Sequence, residues 1–173
     1  MGIKVAINGY GRIGRCYLRA LHEAGLGERF RVVAINEPAD LASIAYLTRF
    51  DSTHGRFHGA VDCTEDALIV DDQAIIVSHA HTPEELDWDA LGIDLLVECS
   101  GQYGSRSELA RFLTAGCPRL LLSHPGNGAE DVDATVVVGV NHAQLHGREG
   151  LVSSASCTTN AVVPVLDLLH REI

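Results

Sequence analysis

Apolar positions along this 173-residue chain fall into short, β-branched runs separated by segments in which apolar residues recur at helical spacing. Runs at 4–8, 31–35, 95–99, 119–122, 135–138 and 151–154 predict strands, and segments at 13–24, 40–49, 83–91 and 105–115 predict helices. Gly25 and Gly116 stand where glycine ends the first and last of these helices. Alternation of this kind predicts an α/β protein with a Rossmann-type, mostly parallel, doubly wound sheet. The pattern changes between 51 and 78, where apolar runs at 68–70 and 74–77 flank Asp71-Asp72 and read as a hairpin, a small antiparallel insertion. A last helix is expected over 158–173, with Val162, Val163, Leu166 and Leu169 at largely helical spacing. No internal repeat, low-complexity tract or linker interrupts the chain.

Composition narrows the picture. At 46% hydrophobic residues the chain buries a substantial core, and its length fits one domain. A formal net charge of −10, with 13 basic against 23 acidic residues, argues against nucleic acid as a partner, since phosphate neutralisation needs clustered Lys and Arg. No apolar run approaches the ~20 residues that span a bilayer, and Met1 leads straight into a strand without signal-peptide architecture. No membrane association and a cytoplasmic location are therefore expected. The five cysteines, at 16, 63, 99, 117 and 157, form no C-x-x-C pair and are expected as reduced thiols. His79-Ala80-His81 lacks a Cys or carboxylate cluster to complete a ligand set, so no metal site is expected.

Two motifs carry chemistry. Gly9-Tyr10-Gly11-Arg12-Ile13-Gly14 follows the first strand and opens the first helix, the context that the dinucleotide fingerprint requires. Gly9 permits the tight turn, Gly11 lets backbone approach a pyrophosphate, and Gly14 packs helix on sheet. Glu37, at the end of the second strand, would accept hydrogen bonds from the adenosine ribose and repel a 2′-phosphate, so NAD is expected rather than NADP. A glycine-rich turn in a non-binding α/β domain is the plainer reading.

Cys157, in Ser156-Cys157-Thr158-Thr159-Asn160, sits between the last strand and the last helix, where the helix dipole and free N–H groups favour a thiolate nucleophile. The alternative is a small buried core residue. The hydroxyls and amide gathered around it favour the first reading, because they supply donors for a phosphate or an oxyanion. A nicotinamide site and a thiol nucleophile on one chain suggest aldehyde oxidation through a thioester. Cys16, Cys63, Cys99 and Cys117 lack such surroundings and read as structural.

Asn8-Gly9-Tyr10-Gly11-Arg12-Ile13-Gly14-Arg15, Asp51-Ser52-Thr53-His54-Gly55-Arg56-Phe57, Glu98-Cys99-Ser100-Gly101, Gly139-Val140-Asn141 and Ala155-Ser156-Cys157-Thr158-Thr159-Asn160 resemble the glyceraldehyde-3-phosphate dehydrogenase family over the whole length of the chain. Three departures are most similar to its erythrose-4-phosphate dehydrogenase branch: Glu37 in place of the usual Asp, Ser123-His124-Pro125 in place of Ser-Ala-Pro, and Ser78-His79-Ala80-His81 in place of a Glu-Arg-Asp-Pro type segment.

The resemblance implies that Cys157 attacks a phosphorylated sugar aldehyde, that the hemithioacetal gives hydride to NAD, and that water or phosphate resolves the thioester. In the erythrose branch the resolving group is water and the product is 4-phosphoerythronate, on the route to pyridoxal phosphate. It further implies that Arg12 and Ile13 contact the pyrophosphate, that Glu37 contacts the ribose, and that Ser100, Gly101 and Ser123 line the nicotinamide side. Ser156 and Thr158 would touch substrate or phosphate, and His81 stands where the family tends to place an arginine near the adenine. His54 and His124 are expected to be structural. The family's general-base histidine matches no histidine here, so the chain is expected to be the NAD-binding half of a homotetrameric enzyme. Residues 1–155 would form the cofactor domain, and 156–173 the first helix of a catalytic domain.

Three other readings stay open. One is the glycolytic glyceraldehyde-3-phosphate dehydrogenase itself. Another is a semialdehyde dehydrogenase of the aspartate or acetylglutamyl type, which would not be expected to carry the segment 51–57. The third is a non-catalytic nucleotide-binding module, which has no need of a reactive Cys157.

Overall fold

Nine of the strands join into a single sheet in the order β10-β11-β9-β8-β1-β2-β7-β6-β5, in a computed structural model that describes residues 2–173; Met1 lies outside the described residues. Seven of them, β1 (Ile3–Asn8), β2 (Phe30–Asn36), β7 (Gln73–Ser78), β8 (Leu95–Glu98), β9 (Leu120–Leu122), β10 (Ala134–Thr135) and β11 (Leu151–Ser153), run parallel to one another. Two antiparallel strands, β6 (Ala67–Val70) and β5 (Val61–Cys63), extend the sheet beyond β7. A separate ribbon pairs β3 (Phe50–Asp51) with β4 (Gly55–Arg56). The expected antiparallel insertion is thus present, and it reaches the main sheet through β7. Its turn holds Asp71 and Asp72 in the left-handed region, at φ 46° and 64°, the conformation that a tight two-residue hairpin requires.

The helices are α1 (Arg12–Glu23), α2 (Leu41–Arg49), α3 (Arg106–Thr114) and α4 (Cys157–Glu172). Successive strand residues serve opposite faces of the sheet. Ile7 joins Leu18, Leu21, Ile44 and Ile35 under α1 and α2, while Ala6 joins Leu109, Phe112, Trp88 and Leu96 under α3. Each such Leu, Ile or Phe contributes ~1.5–3 kcal/mol by leaving water, which is why the central strands read as nearly continuous apolar runs. Asp40 and Ser105 cap α2 and α3 by accepting the N–H of Ser43 and Glu108. The pairing of β1 with β2 is not regular throughout. Between Val5 and Ala6 its register shifts, so that Val5 lies opposite Val32 but Ala6 lies opposite Ala34, leaving Val33 as an extra residue in β2.

Two expected elements differ. The helix expected at 83–91 is only a 3-10 turn, Pro83–Glu85. Beyond it the Asp87 carboxylate accepts the Ala90 N–H, a local bond that competes with helix. Trp88 anchors this loop instead, with its ring buried and its Nε1–H donated to the Pro83 carbonyl. The strand expected at 135–138 ends at Thr135, because the Asn141 side chain replaces the ladder. Its Oδ1 accepts the Val137 N–H at 2.7 Å and its Nδ2 donates to the Thr135 carbonyl at 3.0 Å.

Helix α4 contains no buried residue; Val162, Val165, Leu166, Leu168 and Leu169 are all exposed. Among the described residues, no helix is long and apolar enough to cross a membrane.

Candidate functional site

Because β11, β9, β8, β1, β2 and β7 are parallel neighbours, the loops that follow them emerge side by side on one edge of the sheet. A string of backbone bonds ties that edge together: Ser154 N–H to Leu122 O, Ser123 N–H to Glu98 O, Cys99 N–H to Asn8 O, Gly9 N–H to Asn36 O, and Glu37 N–H to Ser78 O. Every site residue named from the sequence lies along it, in the order Cys157, Ser123, Ser100, the glycine loop, Glu37, His81. At ~4.8 Å per strand, the four steps from β11 to β2 span about 19 Å, the scale of an extended dinucleotide. The strand order reverses between β1 and β8, and the crevice at such a switch point is where open α/β sheets bind ligands.

The loop from β1 to α1 shows three different demands on its glycines. Gly9 has φ 83°, and a Cβ there would lie 2.4 Å from the Ser100 backbone nitrogen, so the loops after β1 and β8 touch. A Cβ on Gly14 would lie 2.4 Å from the Gly9 carbonyl oxygen. A Cβ on Gly11 would meet nothing within 4 Å and would project into open space. Gly11 also forms the N-cap of α1 without a side-chain cap, and the first turn of α1 carries no acidic residue. Its free N–H groups and positive dipole end therefore face outward uncompensated.

Glu37 is tied to this loop, since its carboxylate accepts the Tyr10 N–H at 2.7 Å and the Ala39 N–H at 3.3 Å. Arg12 is exposed and reaches sideways to Asp51 at 3.1 Å, linking the loop to the β3–β4 ribbon. Asp51 also accepts the His54 and Thr53 N–H groups, and these bonds, with Arg12 beside it, draw its pKa down to about 2. Ile13 is exposed next to Arg12. At the far end His81 is exposed, with its N–H donated to Glu85 at 2.9 Å, while the ring of His79 bonds the Glu37 carbonyl at 2.8 Å.

On the other side of the switch point, Ser100 donates both its N–H and its hydroxyl to the Glu98 carboxylate. Gly101 follows with φ 71°. Glu98 is fully buried, and burial raises its pKa. Only a weak sequence signal marks this group: Asn8, Asn36 and Glu98 are each the polar residue that closes an apolar strand. Burial likewise pushes the thiols of Cys99 and Cys117 up, to about 11 and about 12.

Cys157 is exposed at the first position of α4. Ala155, buried and at φ 62°, turns the chain sharply between β11 and the helix. Ser156 caps α4 by accepting the Thr159 N–H at 3.0 Å, and its hydroxyl lies 2.9 Å from that of Thr158. Asn160 donates back to the Ser154 and Ser156 carbonyls at 2.8 and 2.9 Å, fixing the turn that presents the thiol.

A mostly parallel, doubly wound sheet with an uncapped glycine loop at its switch point defines a dinucleotide-binding domain of the Rossmann class. Residues 3–106 match the family model described as glyceraldehyde 3-phosphate dehydrogenase, NAD binding domain, and the chain belongs to that family. Its cofactor is NAD and its class is that of NAD-dependent oxidoreductases. The site fits the group, because open space over Gly11 and the uncompensated N–H groups of α1 suit a pyrophosphate.

Proposed function

We propose that, in its full-length form, this protein oxidises a phosphorylated sugar aldehyde, erythrose 4-phosphate, to 4-phosphoerythronate through a thioester on Cys157. NAD supplies the hydride acceptor. The observation that carries this reading is the order of groups along one sheet edge, with an exposed cysteine at the end opposite Glu37.

In this reading Glu37 holds the adenosine ribose and excludes a 2′-phosphate. The N–H groups of the Gly11–Gly14 turn, with Arg12 and Ile13, hold the pyrophosphate, and His81 lies by the adenine. Ser100, Gly101 and Ser123 line the nicotinamide end. The Cys157 sulfur adds to the aldehyde carbon, forming a C–S bond as the carbonyl oxygen takes a proton. Loss of hydride from that carbon and of the hydroxyl proton leaves a thioester. Attack by water breaks the C–S bond, releases the carboxylate and regenerates the thiol. Ser156 and Thr158, beside the sulfur, contact substrate or phosphate. The proton transfers need a base that none of the nine histidines matches in the family's motif, and losing such a base typically removes ~10²–10⁴ in rate. The 173-residue chain alone is therefore expected to bind NAD with little turnover.

A substrate panel on the full-length enzyme tests the reading. Faster NAD reduction with erythrose 4-phosphate than with glyceraldehyde 3-phosphate supports it, and the reverse order moves the protein to the glycolytic branch. Activity on amino-acid semialdehydes alone would replace it, and NAD binding without any aldehyde oxidation would leave a nucleotide-binding module.

A further inference from the structure

Beneath the sheet edge that carries the site residues runs a buried chain of side-chain hydrogen bonds with a fixed direction. The Ala80 N–H donates to Asn36 Oδ1 at 2.9 Å, Asn36 Nδ2 donates to Asn8 Oδ1 at 2.8 Å, and Asn8 Nδ2 donates to Glu98 Oε2. The other oxygen, Glu98 Oε1, receives the N–H and hydroxyl of Ser100. Neither end can reverse. The backbone N–H of Ala80 requires an acceptor, which orients Asn36 and through it Asn8, so that an N–H always points at Glu98. Asn8 Nδ2 and the Ser100 N–H both need an acceptor, and an ionised carboxylate meets them with both oxygens at full strength. A glutamine sets a donor against a donor at a fully buried position, and a protonated Glu98 keeps its partners only by turning the Ser100 hydroxyl round to accept, which leaves Oε1 a weaker acceptor for the Ser100 N–H.

The members of this chain stand directly behind the cofactor groups. Asn8 precedes Gly9, Asn36 precedes Glu37, Ala80 precedes His81, and Glu98 holds Ser100. The bonds therefore span β8, β1, β2 and the loop after β7, the same elements that carry both ends of the proposed NAD site.

We propose that Glu98, acting as a carboxylate, is a positioning residue for NAD: it terminates the Ala80–Asn36–Asn8 chain and clamps Ser100, so NAD affinity depends on its ionisation. This rests on the assignment of the NAD site to the glycine loop, Glu37 and Ser100. Three titratable groups lie near Glu98: Cys99, the residue that follows it at the end of β8, Tyr103 from the loop before α3, and His124 from the turn after β9. Burial dominates over the His124 charge and the hydrogen bonds and sets the direction upward, so protonation begins above the ordinary carboxylate range as pH falls.

The test pairs NAD calorimetry across pH with ¹³C NMR of the Glu98 carboxyl carbon, with circular dichroism to verify the fold at each pH. The wild type is expected to lose NAD affinity at the pH where the Glu98 carbon titrates. Glu98→Gln is expected to bind NAD about tenfold or more weakly at neutral pH, without that acid limb. Unchanged affinity in Glu98→Gln, or an acid limb that persists in it, overturns the proposal. If Glu98→Gln does not fold, the wild-type comparison decides, and a limb whose midpoint departs from that of the Glu98 carbon overturns it. Failure of the wild type to bind NAD at any pH would instead sink the site assignment itself.

Discussion

Replacing Gly11 and Gly14 separately by alanine should divide cofactor binding from folding, because the two glycines lie in one turn yet meet opposite surroundings. At Gly14 the added methyl arrives 2.4 Å from the Gly9 carbonyl and 3.1 Å from Ile7 Cγ2, both inside the packed junction of α1 and β1. Overpacking of that kind costs ~1–3 kcal/mol. For a domain of this size, ~1 kcal/mol shifts Tm by ~2–4 °C, so a fall of roughly 2–12 °C is expected. At Gly11 the methyl meets nothing within 4 Å, and the residue is extended at φ −68°. An N-cap alanine loses about 0.5 kcal/mol relative to glycine and regains ~0.4–1 through the unfolded chain, so Tm should move little. The same methyl would stand where a pyrophosphate approaches the α1 N–H groups. Losing one charge-assisted hydrogen bond of ~1.5–3 kcal/mol weakens NAD roughly ten- to a hundredfold. Scanning calorimetry and NAD titration of both variants make the comparison. Wild-type NAD affinity in Gly11→Ala would refute the pyrophosphate assignment, and equal destabilisation of the two variants would refute the packing argument.

Glu37→Ala should narrow the preference for NAD over NADP, read as the ratio of the two dissociation constants; a ratio unchanged from wild type removes the ribose assignment. With iodoacetamide at pH 8, Cys157 should label while Cys99 and Cys117, held near 11 and 12, stay unmodified, as peptide mass mapping can show. Asp51, whose folded pKa is lowered to about 2, stabilises the fold fully above its unfolded value near 3.8 and loses that contribution as pH falls through 2. Acid unfolding of Asp51→Asn should therefore be flatter than wild type between pH 4 and 2. Leu166→Glu should reduce concentration-dependent light scattering if the exposed face of α4 drives self-association, and a wild type that stays monomeric at every concentration would exclude that association.

The parallel core was legible because its strands are apolar on both faces; the run at 4–8 reappears as Ile3–Asn8 and that at 151–154 as Leu151–Ser153. The 83–91 segment misled because Trp88 and Leu91 stand three apart, as on one face of a helix, while with Leu86 they anchor a loop against Phe112. No spacing rule reveals that Asn141 ends the strand at Thr135. The glycine loop could be read locally, since turn geometry and helix start are local properties. The Asn8, Asn36 and Glu98 chain could not, because each is an isolated polar residue until the β2-β1-β8 order brings the three together.

The extra residue in β2 bears on how this domain can change length through descent. Val32 faces the α1 side, Ala34 the α3 side and Ile35 the α1 side, so it is Val33 that interrupts strict alternation. A gene lacking the Val33 codon would encode a regular strand in which Val5 still meets Val32, Ala6 still meets Ala34, and Asn8 still meets Asn36. Loss of a residue from the middle of β1, by contrast, turns one core face toward the other. Relatives with a β2 shorter by one residue are therefore expected to lack the counterpart of Val33, and to keep both asparagines side by side.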